Sequence, residues 1–234
     1  MANVSTQELL MAGAHFGHLT QRWNPKMKPF IYMQKNGIYI IDLKKTVNQI
    51  EQATNAITKA VRHGEKILFV GTRRNSKDII RSEAERCNMF FVNDRWLGGT
   101  LTNFATIKKS IRMLRTLEKK EIDGTYENIR KKEILSIERK KEKLTRVLGG
   151  IADMAKLPGI MFVVDTIKDS IAVNEAQKLG IPVVAIVDTN CDPDKITYPI
   201  PSNDDAIKAV SLITRVVADT IIEATMSSEK MVEA

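Results

Sequence analysis

Short, uninterrupted apolar runs alternate with amphipathic stretches along most of the chain, and this alternation constrains the fold more than any other feature. Four runs are predicted to be buried strands: residues 66–71, 90–92, 160–164 and 183–187. Strands without polar alternation occur in parallel sheets that helices cover on both faces. The intervening apolar residues recur at three- and four-residue spacing, which predicts helices over residues 42–63, 76–87, 168–179 and 203–226. The sequence therefore predicts an α/β fold with a doubly wound, mostly parallel sheet of the Rossmann or flavodoxin-like type.

A shorter β element precedes this alternation. Residues 30–33 and 38–41 are rich in β-branched and aromatic side chains, and Asn36-Gly37 lies between them. Both residues of this pair accept the positive φ that a tight hairpin turn requires. We therefore expect an antiparallel hairpin ahead of the first long helix.

Residues 103–148 interrupt the alternation, because they contain no strand pattern and predict two long helices joined at Asp123-Gly124-Thr125. A narrow apolar stripe on each helix is typical of an antiparallel hairpin, or coiled coil, with charged outer faces. The stripes comprise Ile107, Ile111, Leu114, Leu117 and Ile122 on the first helix and Tyr126, Ile129, Ile134, Ile137, Leu144 and Leu148 on the second. We expect an α/β domain over residues 1–102 and 149–226, this inserted helical hairpin (103–148) protruding from it, and a flexible C-terminal tail over residues 227–234.

Charge is unevenly distributed along the 234 residues. The chain holds 36 Lys and Arg against 28 Asp and Glu, a net charge of +8. Residues 1–106 carry 15 basic and 8 acidic groups, residues 107–146 carry 14 and 7, and residues 147–234 carry 7 and 13. This asymmetry favours a polyanionic partner, nucleic acid above all, although a mildly basic protein without such a partner is the alternative. The excess of Lys and Arg in the hairpin favours a contact surface over a merely solvated helix pair.

Several classes of protein are excluded by what the sequence lacks. No apolar run approaches the roughly 20 residues that a membrane span needs. The N-terminus has neither the basic start nor the apolar core of a signal peptide. Cys87 and Cys191 cannot by themselves form a disulfide framework or a four-ligand zinc site. We therefore expect a cytoplasmic protein.

Motifs of the enzymes that use doubly wound sheets are missing as well. Gly71 follows a strand, but residues 72–75 (TRRN) replace the glycine-rich continuation of a dinucleotide-binding turn. The sequence contains no G-x-x-x-x-G-K-[ST] loop and no G-x-S-x-G nucleophile elbow. We predict neither catalytic residues nor a required cofactor, and a nucleotide- or sugar-phosphate-binding enzyme is the alternative interpretation of the fold.

Histidine and carboxylate residues occur at the ends of predicted elements. His18 closes the stretch GAHFGH at residues 13–18, Asp188 ends a strand, and Asp204 and Asp205 open the last helix. One interpretation is structural, with turn-capping histidine and carboxylates that offset a helix dipole. The other is a divalent metal site formed by His18, Asp188, Asp204 and Asp205 at the carboxyl edge of the sheet. The spacing alone does not establish that these side chains converge.

The loop that leads into the hairpin, residues 93–104, is the least generic stretch. Its adjacent glycines let backbone N–H groups approach an anion, its Thr and Asn residues are neutral donors, and Trp96 offers a stacking or packing face. The alternative is a structural loop with a buried tryptophan. Basic residues flank this loop and also occur in residues 22–29 and in the hairpin. The candidate nucleic-acid-contacting residues are Arg22, Lys26, Lys28, Arg73, Arg74, Lys77, Arg95, Trp96, Thr100, Asn103, Lys108, Lys109, Arg112, Lys131, Lys132, Lys140 and Lys141.

These segments, taken together and in this order, closely resemble the bacterial-type small-subunit ribosomal protein S-two family. GAHFGH (13–18) and RWLGGTLTNF (95–104) are the most specific matches. The similarity continues through RWNPKMKPFIY, ILFVGTRR, residues 158–190 and residues 192–206, so that it covers nearly the whole chain. Departures are confined to the hairpin sequence and the C-terminal tail.

The resemblance implies a non-enzymatic component of the small ribosomal subunit. Members of the family lie between its head and body, contact ribosomal RNA, join late in assembly and support docking of the ribosomal protein S-one. The family fold is an α/β domain with a protruding helical hairpin, and some members carry a metal at the acidic edge, here at the matching His18, Asp188, Asp204 and Asp205. We expect no membrane partner and no small-molecule substrate. A free regulatory RNA-binding protein is a further alternative.

Overall fold

The computed structural model describes residues 4–123 and 131–232. Its helices are α1 (Thr6–Met11), α2 (Leu43–Arg62), α3 (Lys77–Arg86), α4 (Phe104–Ile122), α5 (Lys131–Leu148), α6 (Ser170–Lys178) and α7 (Ile207–Val232). Its strands are β1 (Phe16–Leu19), β2 (Ile31–Lys35), β3 (Ile38–Ile41), β4 (Ile67–Val70), β5 (Phe90–Val92), β6 (Ile160–Val163), β7 (Val183–Val187) and β8 (Tyr198–Pro201). None of the helices in these two ranges has the length and apolar character needed to cross a membrane.

Five strands form one parallel sheet in the order β5-β4-β6-β7-β8. The strand order reverses direction between β4 and β6, which is the doubly wound, flavodoxin-like arrangement. At this reversal Val70 of β4 pairs with Val92 on one side and Val163 on the other. The predicted α/β fold with a mostly parallel sheet is therefore confirmed.

Side chains of the parallel sheet alternate between two apolar layers. In β4, Ile67 and Phe69 pack with residues of α2, α3 and α7, whereas Leu68 and Val70 pack with residues of α6 and with Trp96. Burial of both faces explains why the strands show no polar alternation. The layers also fix the positions of the loops at the carboxyl ends of the strands.

The remaining three strands form a separate antiparallel sheet in the order β1-β3-β2. Asn36 and Gly37 have φ values of 51° and 75°, so the expected β2–β3 hairpin is present. Strand β1 was not predicted, and it attaches this small sheet to the parallel sheet. Gly17 lies so close to Thr189 that a Cβ at residue 17 would be 2.5 Å from Thr189 Cγ2. The His18 N–H donates to Thr189 Oγ1 at 2.8 Å, which holds β1 against the end of β7.

Helices α4 and α5 contact each other, and the base of the pair is buried against the layer that contains Trp96. Ile107, Ile111 and Leu148 are buried there. Beyond Asp123, the predicted turn lies outside the described residues, as does the side chain of Lys131. The protruding coiled-coil geometry stays a prediction.

Helix α7 begins four residues later than predicted, because Asn203 forms a polar turn ahead of it. Asn203 Oδ1 accepts hydrogen bonds from the N–H groups of Asp205 and Ala206, at 2.8 and 3.1 Å. The helix continues to Val232, past the predicted end at residue 226. The predicted tail from residue 227 is thus helical as far as the described residues extend.

Candidate functional site

Charged side chains from distant parts of the sequence meet at the carboxyl edge of the parallel sheet. Asp165 follows β6, Asp188 follows β7 and Asp204 precedes α7, while β1 contributes His18. The carboxyl ends of parallel strands share one edge, so the topology brings these loops together. The edge cluster consists of His18, Arg73, Asp165, Asp188, Asp204 and Asp205.

His18 lies between two carboxylates of the edge cluster. Its Nδ1 is 3.1 Å from Asp188 Oδ1, and its Nε2 is 3.5 Å from Asp205 Oδ2. The hydrogen bond with Asp188 raises the pKa of the His18 imidazole. Single donor atoms of His18, Asp188 and Asp204 lie within 4.8 Å of one another. The convergence that the sequence spacing left open is therefore present.

Asp204 is the carboxylate most affected by this crowding. It is 2% exposed. Burial, together with the negative charges of Asp188 and Asp165, raises the pKa of Asp204 to about 8. Its neighbours therefore favour the protonated form of Asp204 as long as no further cation is present.

Arg73 supplies the guanidinium of the edge cluster. Its Nη1 lies 3.2 Å from Asp165 Oδ2, 3.2 Å from Asp204 Oδ1 and 2.8 Å from Asp205 Oδ1. The sequence pattern placed Arg73 among the RNA-contacting residues. In the structure its guanidinium pairs with carboxylates of the protein, although the side chain remains 37% exposed, so an RNA contact by Arg73 stays a prediction.

The edge cluster fits a divalent cation by the chemistry of its donors. One imidazole nitrogen and two buried carboxylates, from His18, Asp188 and Asp204, converge, with Arg73 Nη1 3.2 Å from Asp204 Oδ1. Imidazole and carboxylate are ligands for divalent transition metals. Asp205 is half exposed and lies beside His18, so it would complete such a site from the solvent side.

The loop at residues 96–102 surrounds an anion, but the anion is the protein's own Glu175. Glu175 Oε1 accepts from Trp96 Nε1 at 3.0 Å and from the Gly99 N–H at 2.8 Å. Glu175 Oε2 accepts from the Leu101 and Thr102 N–H groups and from Thr102 Oγ1, each at 3.0 Å. Although burial opposes the shift, these hydrogen bonds lower the pKa of Glu175.

Two predicted RNA contacts are consequently internal. Trp96 is 7% exposed and Thr100 is 2% exposed. Thr100 Oγ1 donates to the Leu97 carbonyl at 2.6 Å. The alternative interpretation, a structural loop with a buried tryptophan, describes this segment, and neither side chain offers a face to RNA.

The other basic candidates divide into exposed and engaged side chains. Exposed ones are Arg22, Lys28, Arg74, Arg95, Lys109, Arg112, Lys132 and Lys140, together with the polar Asn103. Engaged ones are Lys26 with Asp192 and Asp194, Lys77 with Asp94, and Lys108 with the Ala155 carbonyl. Lys141 is half-buried. The exposed side chains are the most accessible to an external polyanion, whereas the engaged ones are held in place by contacts within the protein.

Sequence reasoning missed three carboxylates that organise these loops. Asp165, Asp169 and Glu175 all lie in the stretch that contains β6 and α6. Asp169 accepts from the Thr72 N–H at 3.1 Å and from Thr72 Oγ1 at 2.8 Å. The available signal was their position, since Asp165 and Asp169 follow a buried strand directly and loops at that edge carry the functional groups of such sheets.

The crevice at the β4–β6 reversal is where enzymes of this architecture bind phosphate groups. Here a cleft of about 390 Å³ is lined by Thr72, Arg73, Asp165 and Asp204, among others. The Thr72 N–H that would face a phosphate is already bonded to Asp169. The cleft is also lined by the cations Arg74 and Lys168, so it differs from a nucleotide site in its engaged backbone N–H group and not in a shortage of positive charge.

Comparison with known proteins identifies the relatives of this fold. The family model described as ribosomal protein S2 matches residues 9–224. The small ribosomal subunit protein uS2 of Geotalea uraniireducens is 58% identical over 223 residues, which is 95% of this chain and 87% of that protein. The uS2 protein of Chloroherpeton thalassium is 58% identical over 225 residues, 96% of this chain and 90% of that protein. The chain belongs to the ribosomal protein S2 family.

Proposed function

We propose that the chain binds ribosomal RNA through exposed basic side chains of its N-terminal half and of the α4–α5 pair. As a member of the ribosomal protein S2 family it is a structural constituent of the small ribosomal subunit and not an enzyme. Lys and Arg neutralise phosphates and release counterions, which favours binding without reading base identity. The folded shape of the RNA then selects the site.

The observation that carries this proposal is a difference in exposure and pairing between acidic and basic side chains. Several carboxylates of residues 147–234, among them Asp188, Asp204 and Glu175, are buried and engaged inside the protein. Basic side chains such as Arg22 and Arg112 are exposed, and no described carboxylate pairs with them. The folded chain therefore directs uncompensated positive charge outward.

Sedimentation of a cell lysate, with this protein followed across the gradient, tests the assignment. We expect stoichiometric co-migration with small subunits. A pool that stays entirely at the top of the gradient would contradict it and favour a free regulatory RNA-binding protein.

The family resemblance supports two finer roles, late entry into assembly and docking of S-one. Small-subunit particles from cells depleted of this protein are expected to lack S-one while retaining most other subunit proteins. Quantitative mass spectrometry of the gradient fractions measures the amount of S-one and of the other subunit proteins in these particles. Particles that lack this chain but hold S-one at full stoichiometry would contradict the docking role.

We further propose that the edge cluster binds a divalent cation through His18, Asp188 and Asp204, with Asp205 beside them. Support comes from the donor atoms within 4.8 Å and from the excess of carboxylates over Arg73. The ion would neutralise the crowded carboxylates. Elemental analysis of purified protein should find stoichiometric metal that Asp188→Ala removes.

The matched control for the cation site is Asp194→Ala. Asp194 is an exposed carboxylate that pairs with Lys26, away from the edge cluster. This variant should retain the metal of the unaltered protein. Equal metal content in the Asp188→Ala and Asp194→Ala proteins would refute the assignment.

A further inference from the structure

Four basic residues of α4 share one face of the helix. Lys108, Arg112, Arg115 and Lys119 follow one another at spacings of four, three and four residues. At 3.6 residues per turn, these spacings keep the four side chains within a sector of about 60° along about 16 Å of helix. We call these four residues the α4 basic stripe.

Two members of the α4 basic stripe are held in place by the chain that follows α5. Lys108 Nζ donates to the Ala155 carbonyl at 2.6 Å. Arg115 Nη2 donates to the Ala152 carbonyl at 3.0 Å and to Asp153 Oδ1 at 2.5 Å. Long side chains that are already ordered lose less conformational entropy when they bind a ligand.

These contacts border a cleft of about 230 Å³ between α4 and residues 152–155. Arg112 also lines the cleft, is exposed, and has no paired carboxylate among the described residues. Asp153 is the single acidic residue among the described ones that line it. Three cations against one carboxylate make this cleft an attractive position for a phosphate group.

Helix α5 has a comparable number of basic residues, and Lys132, Arg139, Lys143 and Arg146 also share a sector of about 60°. The two helices differ in how far neighbouring carboxylates compensate these cations. Arg146 Nε is 3.3 Å from Asp94 Oδ2. The neighbouring cleft between α5 and the sheet edge is lined by the carboxylates Glu85, Asp94, Glu138 and Glu142 among its cations. Positive charge on this side is therefore locally compensated.

We propose that the α4 basic stripe is the face of the helix pair that contacts ribosomal RNA, and that its ligand is the sugar–phosphate backbone. This inference rests on the proposed RNA-binding function and adds to it the contact face and the chemical group recognised. Guanidinium and ammonium groups arranged in a line bind successive phosphates and carry no information about base identity.

A matched pair of double variants tests the proposal. Arg112→Gln with Lys119→Gln neutralises two exposed members of the stripe. Lys120→Gln with Lys143→Gln removes the same charge from exposed positions of the helix pair that lie outside the stripe. Affinity is measured, across a range of salt concentrations, for small-subunit particles that lack this protein.

The stripe variant is expected to bind about tenfold more weakly at moderate salt. The slope of log K against log salt should become shallower by about 1.5, because two phosphate contacts are lost. The control variant should stay within about twofold of the unaltered protein. Circular dichroism should show the same helix content in all three proteins, because the four positions are exposed.

Equal losses of affinity in the two variants would overturn the inference, because binding would then depend on the total charge of the helix pair and not on the position of the charges. A larger loss in the control would also overturn it. A photo-crosslinker at the exposed Thr116 should capture RNA, and exclusive capture of a ribosomal protein would contradict an RNA ligand. If the unaltered protein fails to bind the particles, the proposed RNA-binding function itself is wrong. This outcome differs from one in which binding occurs but does not depend on the α4 basic stripe.

Discussion

At the scale of single residues, the loop around Glu175 illustrates what a sequence can and cannot predict. Adjacent glycines and hydroxyl side chains predict a surface for an anion, and the loop does surround one. The anion is a carboxylate 73 residues from Thr102 and 79 residues from Trp96. Residue types predict the chemistry of the donors. Only the fold determines that the acceptor is internal rather than a phosphate.

Removing the charge of Glu175 should destabilise the protein. In Glu175→Gln the new amide group brings two N–H donors against the N–H groups of the loop, and a buried donor left without a partner costs about 1–3 kcal/mol. We expect the free energy of unfolding in urea at pH 7 to fall by about 2–4 kcal/mol. Glu51→Gln, at an exposed position on α2, is the control and should change it by less than about 0.5 kcal/mol.

The same pair of proteins gives a pH test. Hydrogen bonds lower the pKa of Glu175 in the native state, so the unfolded state binds its proton more readily. The stabilisation is therefore fully present above the ordinary glutamate pKa of 4.5 and is lost as pH falls through the lower native value. The difference in free energy of unfolding between the unaltered protein and Glu175→Gln should become smaller below about pH 4. An unchanged difference between pH 7 and pH 3 would contradict this account.

At the scale of helices and strands, buried apolar runs were the most informative part of the sequence. Strands β4, β5, β6 and β7 occur where these runs predict them, because burial on both faces leaves an uninterrupted apolar signature. Strand β8 escaped prediction because two of its four residues are prolines, Pro199 and Pro201. Proline is compatible with an edge strand, where a missing N–H costs no ladder hydrogen bond, but it obscures the β pattern.

The junction between the helix pair and the sheet depends on a close backbone approach at Gly150. A Cβ at residue 150 would lie 2.6 Å from Phe91 Cδ2 and would collide with the Phe91 carbonyl oxygen. At Gly149 the nearest atom, Thr145 Cγ2, would be 3.7 Å away, an ordinary contact. We therefore expect Gly150→Ala to lower the free energy of unfolding by about 1–3 kcal/mol.

Gly149→Ala is the matched control for this junction and should change stability by less than about 0.5 kcal/mol. Chemical denaturation of both variants measures the difference. Equal stability of the two proteins would show that the junction tolerates a side chain at residue 150. Such tolerance would mean that α5 can shift relative to β5 at little cost.

At the scale of the whole molecule, the net charge of +8 does not show which charged side chains are exposed and which make contacts inside the protein. The sequence alone predicted a polyanionic partner from the uneven distribution of charge, with residues 147–234 acidic. In the fold, several carboxylates of residues 147–234 make internal contacts, as Asp188 and Glu175 do, and the half-exposed Arg73 pairs with Asp204. Charge counts along the sequence could not reveal this, because Arg73 and its carboxylate partners are more than 90 positions apart.

If position rather than net charge governs RNA binding, equal changes in charge at different places should have unequal effects. Arg22→Gln with Lys28→Gln removes two exposed cations from the N-terminal segment, whereas Lys178→Gln with Lys208→Gln removes two exposed cations from the acidic third. The first pair should weaken binding to small-subunit particles and reduce the salt slope by about 1.5, because two phosphate contacts are lost. The second pair should leave the affinity for the particles and the salt slope unchanged within experimental error. Binding affinity measured across a range of salt concentrations distinguishes the two cases. Equal losses of affinity in the two variants would mean that long-range attraction by net charge, and not a defined basic surface, holds this protein to RNA.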